Sequence, residues 1–582
     1  MKPRHWLFVF LAALTLTRFA IIGSYELSPD ESYYFMWSQR PALSYFSKGP
    51  GVAMTIRAST AIFGANEFGV RFFSPLLALG TSLILFALAR RLYGEGVAVW
   101  TVLVMNCIPI FNVGGLVMTI DPLSIFFWAA ALAAFWMALE KHAGFSWWWP
   151  LTGLLIGLGF LSKYTNAMQL LSIVLVLATT RKLRREFQQP GFYLMLATFA
   201  ICTIPVILWN REHAWITLEH LRARGGLNSS YAIHPTELLQ FLGAHFGVYS
   251  PLIFAGLMIG LWWARPLAAR HFKPRFLVIF SVPLLVMYFV LSLKQAGEAN
   301  WTAPAFVSLG ILATALWHER AQANQKLARF AIAALIVGLA MSVIIANTDL
   351  LRVVCISLGI PCGYDKDPSA RLRGWKTSAE VVSEFRKNFE RETGKPVFLV
   401  ANKYQTAASL AFYMPDKERT EGPAHPPVYI PESQNLENEF SFWPRYDEFT
   451  DLRQLARDFL KTPDPSGAQA GARRALADAL AALPEAAQEN ATDEPWRKFT
   501  AALHAAQPQL PLEDFYSAEG VNFFAGRTAL YITDRAEERA PSSIERGFER
   551  VEMVALLRVT RRGLPLRELR IFACYNYRSL SL

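Results

Sequence analysis

The sequence is poor in charged residues for its length. Only 18 % of its 582 residues are Asp, Glu, Lys or Arg, whereas an ordinary soluble domain has about 25 %. Hydrophobic residues make up 53 %, and many stand in runs of about 20, the length that crosses a bilayer. These proportions exclude a disordered chain, a collagen and a wholly soluble enzyme, and they indicate a membrane protein.

Signatures of nucleotide and metal chemistry are also missing. The chain has no Walker A motif, no Rossmann glycine fingerprint and no HExxH. It has five cysteines, and no Cys/His spacing typical of structural zinc. An oxidising compartment would permit a disulfide bond between Cys355 and Cys362, which spacing alone does not establish. Nucleotide-driven work is therefore not expected.

The basic residues are concentrated in the apolar half of the chain. Residues 1–346 contain 26 Lys and Arg against 13 Asp and Glu, whereas residues 347–582 contain 31 against 33. A nucleic-acid partner would need a basic soluble face, and so none is expected. Membrane topology instead places Lys and Arg in cytoplasmic loops. We predict a membrane domain over 1–346 and an extracytoplasmic α/β domain over 347–582.

The membrane domain is predicted to be all-α, with about eleven transmembrane helices. The apolar segments are 6–22, 68–89, 97–117, 122–140, 147–162, 166–180, 191–209, 239–263, 276–293, 301–317 and 330–346. Threading them with the N-terminus in the cytoplasm places 16 basic residues inside and 8 outside, so the C-terminal domain is predicted to lie outside. The outer loops 23–67 and 210–238 are too long to be simple connectors.

The soluble half shows the pattern of a small α/β domain. The predicted elements are a strand at 396–401, a helix at 404–413, a short helix at 544–550 and strands at 529–533, 551–559 and 566–574. Residues 451 to about 509 are predicted to form a helical insertion, read either as a solvated hairpin or as a docking surface for a partner.

Ionisable residues recur at the predicted outer ends of the spans. Asp30 and Glu31 follow Pro29 in the first loop, where they would also suit a helix start. Lys48 follows on the same loop. Asp121 opens the fourth span, Lys163 ends the fifth, and Lys294 lies between the ninth and tenth. Such groups at membrane depth are functional candidates.

This mixture of residues points to one kind of chemistry. Carboxylates can deprotonate an attacking hydroxyl, and lysines can hold a phosphate and stabilise it as it leaves. Because both kinds of group are predicted at a membrane face, the sequence indicates a lipid-phosphate substrate.

The order of the short motifs resembles that of the GT-C class of multi-spanning glycosyltransferases, family 39. That family includes protein O-mannosyltransferases and bacterial lipid A aminoarabinose transferases. The resemblance rests on Asp30-Glu31, Phe46-Ser47-Lys48-Gly49-Pro50, Phe63-Gly64 with Glu67-Phe68-Gly69-Val70-Arg71, Asp121-Pro122-Leu123, Leu161-Ser162-Lys163-Tyr164-Thr165, Asn300-Trp301-Thr302-Ala303-Pro304, Gly374-Trp375 and Phe412-Tyr413. The sequence departs from the family pattern at Gly49, Ser47 and Tyr33.

The resemblance implies an inverting transfer of a sugar from a polyprenyl-phosphate donor to an envelope glycolipid, glycan or protein, in a bacterial inner membrane. The catalytic residues would be Asp30, Glu31 and Asp121, with Asp30 as the base or as the group that orients the acceptor, and Asp121 shaping the acceptor side. Lys48, Lys163 and Lys294 would face the donor phosphate. Further candidates are Tyr33, Tyr34, Glu67, Arg71, Tyr164, Asn300 and Trp301. No cofactor is required, although Asp30, Glu31 and a phosphate could hold a divalent metal.

Two other functions fit the same composition. A flippase for lipid-linked saccharide would also bind a polyprenyl phosphate, but transporters often carry internal repeats and broken helices at the bilayer midplane. A non-catalytic envelope scaffold would leave the first-loop carboxylates unexplained. Individual residues have simpler readings too: Lys48 as a snorkelling lysine, Glu67 and Arg71 as a structural i,i+4 pair, and Trp301 as an aromatic-belt anchor.

Overall fold

The computed structural model divides the chain into two compact units, Met1–Arg373 and Gly374–Leu582. It describes residues 3–140, 146–226, 233–360, 363–364, 367, 369–422, 424–433, 435–449, 451–462, 464, 467, 469–483, 494–507 and 522–578. The first unit extends beyond the last apolar segment. Its final residues are tied to it by Asp349, which accepts hydrogen bonds from Arg373 Nη1 at 2.8 Å and from the Tyr364 hydroxyl at 3.3 Å.

The first unit is helical. Its α-helices are α1 Pro3–Ile21, α2 Pro29–Ser38, α3 Gly51–Phe63, α4 Glu67–Arg71, α5 Phe73–Tyr93, α6 Glu95–Cys107, α7 Pro109–Gly114, α8 Ile120–Glu140, α9 Trp148–Phe160, α10 Met168–Thr179, α11 Pro190–Glu212, α12 Ile216–Arg224, α13 Pro235–Tyr249, α14 Pro251–Arg270, α15 Phe272–Ser292, α16 Ala303–Ala323, α17 Gln325–Ala346 and α18 Asp349–Ser357. Short 3-10 helices occur at Tyr164–Ala167, Arg181–Gln188, Ala299–Thr302 and Ala370–Leu372.

Eight helical segments of the described chain are long and apolar enough to cross a membrane, which makes this a multi-pass membrane protein. They are Arg4–Ile21, Glu67–Tyr93, Ile120–Glu140, Pro190–Glu212, Pro251–Arg270, Phe272–Ser292, Ala299–Ala323 and Gln325–Ala346. The predicted spans 97–117, 147–162 and 166–180 correspond to shorter helices, namely α6 with α7, α9, and α10.

One predicted span is two helices. The segment 239–263 is interrupted at Ser250, whose φ is +69°, and α14 begins at Pro251. A proline ring fits the first turn of a helix but cannot continue a preceding one, so α13 ends there. In the same way Ile108 is extended before Pro109 and separates α6 from α7. Hydropathy alone does not register these breaks.

Helix α16 lies at the centre of the first unit. The residues Ala303–Leu316 are all buried, and 89 % of its most apolar window is buried, against 17 % for α17. The small side chains of α16 allow neighbouring helices to pack closely. A Cβ added at Gly260 on α14 would lie only 2.6 Å from the Cβ of Ala313 on α16. The core of this unit is therefore built around α16, which begins beside the candidate site.

The second unit contains a mixed four-stranded sheet in the order β1-β2-β4-β3. Its elements are α19 Trp375–Thr393, β1 Val397–Ala401, α20 Tyr404–Tyr413, α21 Leu452–Lys461, α22 Ala470–Ala481, α23 Glu494–Ala506, β2 Thr528–Thr533, α24 Ser542–Gly547, β3 Phe548–Arg561 and β4 Leu564–Tyr577, with a 3-10 turn at Glu439–Phe442. Strand β1 is parallel to β2, and β4 is antiparallel to both β2 and β3. The α/β character predicted from the sequence is confirmed.

Two details of this unit refine the sequence prediction. The helix predicted at 544–550 ends at Gly547, because Phe548 pairs with Tyr577 and starts β3. The insertion is helical as predicted, and α21, α22 and α23 pack around their own apolar cluster, which includes Leu476 and Phe499. Cys355 on α18 is disulfide-bonded, and Cys362, its proposed partner, lies outside the described residues.

Candidate functional site

Asp30 lies in the first turn of α2, where the sequence signals a helix start. Ser28 is the N-cap: its hydroxyl accepts from the Glu31 backbone N–H, while the Glu31 carboxylate accepts from the Ser28 N–H. This capping box, with Pro29 at the first helical position, defines where α2 begins. It leaves the Asp30 side chain exposed to solvent, one position before a fully buried Glu31.

Glu31 joins the first loop to the rest of the unit. Its carboxylate accepts two hydrogen bonds from Arg71, from Nε at 2.7 Å and from Nη2 at 2.8 Å, and one from the Met118 N–H at 2.9 Å. Arg71 also donates to the carbonyl groups of Ile22, Tyr25 and Glu26. Burial acts to raise the pKa of Glu31. The Arg71 charge and these hydrogen-bond donors outweigh burial and hold that pKa below its ordinary value.

We expect Glu31→Gln to destabilise the protein strongly, because it leaves the Arg71 charge buried without a counterion. Removing one partner of a buried pair costs about 3–5 kcal/mol. Thermal unfolding of the purified protein in detergent measures this loss. Glu67→Gln is the control, because the Glu67 side chain lies in the first turn of α4 without a hydrogen bond to any described residue. Equal melting temperatures for the two variants would contradict this assignment.

The loop carrying Lys48 packs directly against the end of α9. The Gly51 N–H donates to the Leu161 carbonyl at 2.9 Å. A Cβ added at Gly49 would lie 2.3 Å from that carbonyl oxygen, and one at Gly51 would lie 2.4 Å from Ser162 Oγ. Only glycine fits such close backbone approaches. This contact explains the glycine at position 49 and fixes the Lys48 backbone beside the segment that carries Lys163.

Asp121, Lys163 and Asn300 are brought together from three separate parts of the chain. Lys163 Nζ donates to Asp121 Oδ1 at 2.7 Å, and Asn300 Nδ2 donates to Asp121 Oδ2 at 2.7 Å. Lys163 Nζ also lies 3.4 Å from the Asn300 carbonyl oxygen. The Lys163 charge is therefore compensated by Asp121. These bonds connect the N-terminus of α8, the end of α9 and the 3-10 helix Ala299–Thr302.

The 3-10 helix that carries Asn300 is held from α13. His245 Nε2 and the Thr302 hydroxyl share a hydrogen bond of 2.9 Å, and the Tyr249 hydroxyl donates to the Ala299 carbonyl at 3.3 Å. His245 Nδ1 is 2.7 Å from the Phe241 carbonyl oxygen. This buried network positions Asn300 against Asp121, and the sequence reading did not include it.

Lys48 differs from Lys163 in having no ionic partner. Its ammonium group forms no hydrogen bond or ion pair with any residue that the structure describes. Burial and the nearby charges of Arg224 and Lys163 lower the pKa of Lys48 to about 8, against the opposing effect of Asp121 and Asp30. A desolvated cation beside two other cations is a site prepared for an anion.

The Asp30 carboxyl group belongs to the same group of charges. Although it is open to solvent, the surrounding protein desolvates it and raises its pKa. Arg371 and Arg224 oppose that rise, whereas Glu31 and Asp121 add to it. The structure thus brings together one predicted base, Asp30, and one predicted phosphate ligand, Lys48, within range of mutual electrostatic coupling.

Three residues in this region were missed by the sequence reading. Arg224 ends α12 and lies over the Trp301 ring, 5.2 Å from its centroid. His220 lies one turn earlier, 4.6 Å from the Phe46 ring, and its buried Nε2 has no hydrogen-bond partner among the described residues. Arg371 lies in the 3-10 helix Ala370–Leu372. Arg224 and His220 fall in the predicted outer loop 210–238, whose unusual length was the sequence signal for them. No sequence signal pointed to Arg371.

Burial and the two neighbouring cations, Lys48 and Arg224, lower the pKa of His220 to about 4. The imidazole is therefore neutral near pH 7. A neutral imidazole can still donate one hydrogen bond to a bound anion.

The remaining predicted residues surround these charges in different ways. Tyr33 and Tyr34 pack on Trp37, with ring centroids 4.9 and 5.0 Å away. The Tyr164 hydroxyl is 3.3 Å from Ser44 Oγ. Lys294 packs against Gly226, which follows α12. Tyr33 and Tyr34 therefore shape the loop, and Tyr164 links it to the segment after α9.

A dedicated metal site is not evident in the part of the chain that the structure describes. No group of three or more His, Cys, Asp or Glu side chains is placed there to hold an ion. In particular, the Glu31 carboxylate is occupied by Arg71 and backbone donors. Asp30 and Glu31 therefore do not form the carboxylate pair that was suggested as a divalent-metal site.

Residues 47–209 match the family model described as dolichyl-phosphate-mannose-protein mannosyltransferase. Over 98 % of both chains, the fold is similar to the crystal structure of ArnT from Cupriavidus metallidurans in the apo state, with a TM-score of 0.56 at 15 % identity. The match over residues 47–209 and the shared fold make this chain similar to the GT-C glycosyltransferases. The crystal structure of that ArnT bound to undecaprenyl phosphate gives a TM-score of 0.51 at 16 % identity and 98 % coverage of both chains.

The names of two curated relatives refer to lipid substrates. Lipid A galacturonosyltransferase RgtD of Rhizobium johnstonii is 28 % identical over 322 residues, which are 54 % of this chain and 65 % of that protein. Undecaprenyl phosphate-alpha-4-amino-4-deoxy-L-arabinose arabinosyl transferase 2 of Pseudomonas fluorescens is 32 % identical over 178 residues, 28 % of this chain and 32 % of that protein. The chain thus spans less than two thirds of the length of either relative.

Proposed function

We propose that the protein transfers a sugar from a polyprenyl-phosphate donor to a hydroxyl group of a lipid acceptor, of which lipid A is the leading candidate. The observation that carries this proposal is the unpaired Lys48 ammonium, held beside Arg224 and close to Asp30. The names of the relatives, which include a lipid A galacturonosyltransferase and undecaprenyl-phosphate aminoarabinose transferases, support both the donor and the acceptor class.

Lys48 and Arg224 are the residues we assign to the donor phosphate. Both are cationic, and neither forms an ion pair with a described residue, so their charges are available to an anion. His220 can add a neutral hydrogen bond from the same side. Lys163 contributes less charge because Asp121 already neutralises it, but its third N–H remains available to a phosphate oxygen. Lys294 remains a predicted phosphate ligand at the edge of this group.

Asp30 is assigned as the base that activates the acceptor. It is exposed, it is the second residue of α2, and its raised pKa brings it nearer to neutral pH than an ordinary Asp. Glu31 and Arg71 act through Asp30 by fixing the start of α2, and we assign them positioning roles. Asp121 and Asn300 likewise hold Lys163, at the boundary between donor and acceptor.

The proposed step balances without a further reactant. The acceptor hydroxyl gives its proton to the Asp30 carboxylate, and its oxygen attacks the anomeric carbon from the face opposite the phosphate. The bond from that carbon to the phosphate oxygen breaks, and its electron pair stays on the oxygen. The leaving polyprenyl phosphate gains a negative charge, which Lys48 and Arg224 stabilise. The product has the inverted anomeric configuration.

The placement in the cell follows from the same proposal. A cytoplasmic N-terminus with the site and the soluble unit outside the cytoplasm fits the distribution of basic residues between loops. A bacterial inner membrane is the corresponding location.

The proposal is tested with the purified protein in lipid, radiolabelled undecaprenyl-phosphate sugars and lipid A. The donor panel contains galacturonic acid, 4-amino-4-deoxyarabinose and mannose. We expect label to leave the carrier and appear in lipid A with one of these donors. Carrier binding or translocation of the labelled lipid across the bilayer, without any transfer of label, would contradict the proposal and favour a flippase.

A further inference from the structure

The first unit contains an apolar cavity of about 300 Å³ that the proposed reaction does not use. Its walls come from α6, α14, α16 and α17, of which the last three are candidate membrane spans. The larger side chains that line it are Trp100, Leu252, Leu257, Trp317, Phe330 and Leu335. The cavity is therefore formed among helices that lie in the membrane, and its surface matches a hydrocarbon chain.

The cavity is well separated from the candidate site. On α16 its wall runs from Ala313 to Gln322, about 14 Å at 1.5 Å per residue. That length is close to one leaflet of the hydrocarbon core, which is about 15 Å deep. Ala313, at the near end of the wall, lies 13 residues beyond Asn300, roughly 20 Å along the helix axis. A ligand in this cavity therefore occupies the opposite half of the membrane from the sugar-transfer site.

A lipid can enter the cavity from the side. Trp100 and Ile332 line the cavity and are themselves 40 % and 54 % exposed. The cavity thus borders the surface that faces the bilayer, and an acyl chain of the adjacent leaflet can enter it without crossing the protein.

The end of the cavity away from the candidate site carries polar and basic groups. Gln322 and His318 are hydrogen-bonded to each other at 3.1 Å and line the cavity. Lys326 and Arg329, at the start of α17, are exposed and form no ion pair with any residue in the described part of the chain. Basic residues of this kind between transmembrane helices attract anionic head groups.

We propose that this cavity binds one anionic phospholipid, with an acyl chain between α14, α16 and α17 and its phosphate at Lys326 and Arg329. The apolar walls account for binding of an acyl chain, and the length of the wall matches a single leaflet. Lys326 and Arg329, which have no ionic partner among the described residues, account for the preference for an anionic head group. The site is independent of the sugar donor and acceptor.

Native mass spectrometry of the detergent-purified full-length protein, titrated with phosphatidylglycerol or phosphatidylethanolamine, tests this site. We expect one phosphatidylglycerol to bind at least tenfold more tightly than phosphatidylethanolamine. Ala331→Trp, which fills the cavity from α17, should lower phosphatidylglycerol binding at least tenfold. Ala333→Trp places the same side chain on the exposed face of α17 and should leave binding unchanged.

A second pair of variants separates the head group from the chain and does not disturb packing. Lys326→Gln and Arg329→Gln together should reduce phosphatidylglycerol binding to the level of phosphatidylethanolamine, because each charge near the membrane surface contributes about fivefold. Equal binding of the two lipids by the unmodified protein would overturn the proposal. So would equal phosphatidylglycerol binding by the Ala331→Trp and Ala333→Trp variants, or displacement of the bound lipid by equimolar undecaprenyl phosphate.

Discussion

Asp30→Asn should lower the rate of sugar transfer by about 10²–10⁴-fold, the contribution of a positioned general base. The amide has nearly the same shape as the carboxylate, but it cannot accept the acceptor proton. Because Asp30 is exposed and Glu31 supplies the buried anchor of α2, the substitution should leave the fold intact. Label release from a polyprenyl-phosphate sugar, measured beside the melting temperature, checks both expectations.

The same variant should still bind the donor, because we assign the donor phosphate to other residues, Lys48 and Arg224. Affinity for undecaprenyl phosphate, the proposed donor carrier, is expected to stay within a few-fold of that of the unmodified protein. The unmodified enzyme should also show kcat/KM rising with pH as Asp30 loses its proton, at a pH above the ordinary aspartate range near about 3.9. An Asp30→Asn variant that keeps more than a tenth of the rate would reject Asp30 as the base.

Local signals in the sequence predicted several elements almost to the residue. The Ser28–Glu31 capping box and Pro29 are contained within four residues, so the start of α2 could be read directly. The helix at 404–413 and the strand ending at Ala401 were equally local. By contrast, the mean hydropathy of 239–263 does not register the break at Ser250 and Pro251. Two helices were therefore predicted as one span.

The roles of the site residues depended on contacts between distant parts of the chain. The sequence suggested a local pair between Glu67 and Arg71, yet Arg71 binds Glu31, 40 residues away. Asp121 meets Asn300 across 179 residues. No periodicity or motif reveals such partnerships. Glu31 was therefore placed with Asp30 among the catalytic residues, although only Asp30 is exposed.

The three lysines predicted to face the phosphate illustrate the same limit. Sequence placed Lys48, Lys163 and Lys294 at equivalent positions on one membrane face. In the structure Lys163 is paired with Asp121, Lys294 packs beside Gly226, and Lys48 has no ionic partner among the described residues. Arg224 joins Lys48 from a loop without a recognisable motif. Only the three-dimensional arrangement ranks these cations.

The difference between Lys48 and the other two lysines leads to the second prediction with a large expected effect. Lys48→Met should reduce kcat/KM by about 10²–10³-fold, as the loss of one donor to a developing oxyanion does. Lys294→Met should cost less than tenfold, because Lys294 packs beside Gly226 at the edge of this group. Lys163→Met should act differently and lower the melting temperature, since it leaves Asp121 without its counterion. Steady-state kinetics and thermal unfolding of the three variants distinguish these outcomes.

The pH dependence provides a sharper test of Lys48. Its pKa of about 8 means that the free enzyme loses this positive charge as the pH rises above about 8. Because kcat/KM reports the free enzyme, kcat/KM should fall above that pH. The bound phosphate stabilises the ammonium, so the corresponding fall in kcat should occur at higher pH. Lys48→Arg, which stays charged, should remove the fall near pH 8 from kcat/KM; a fall that persists unchanged in this variant would assign it to another group.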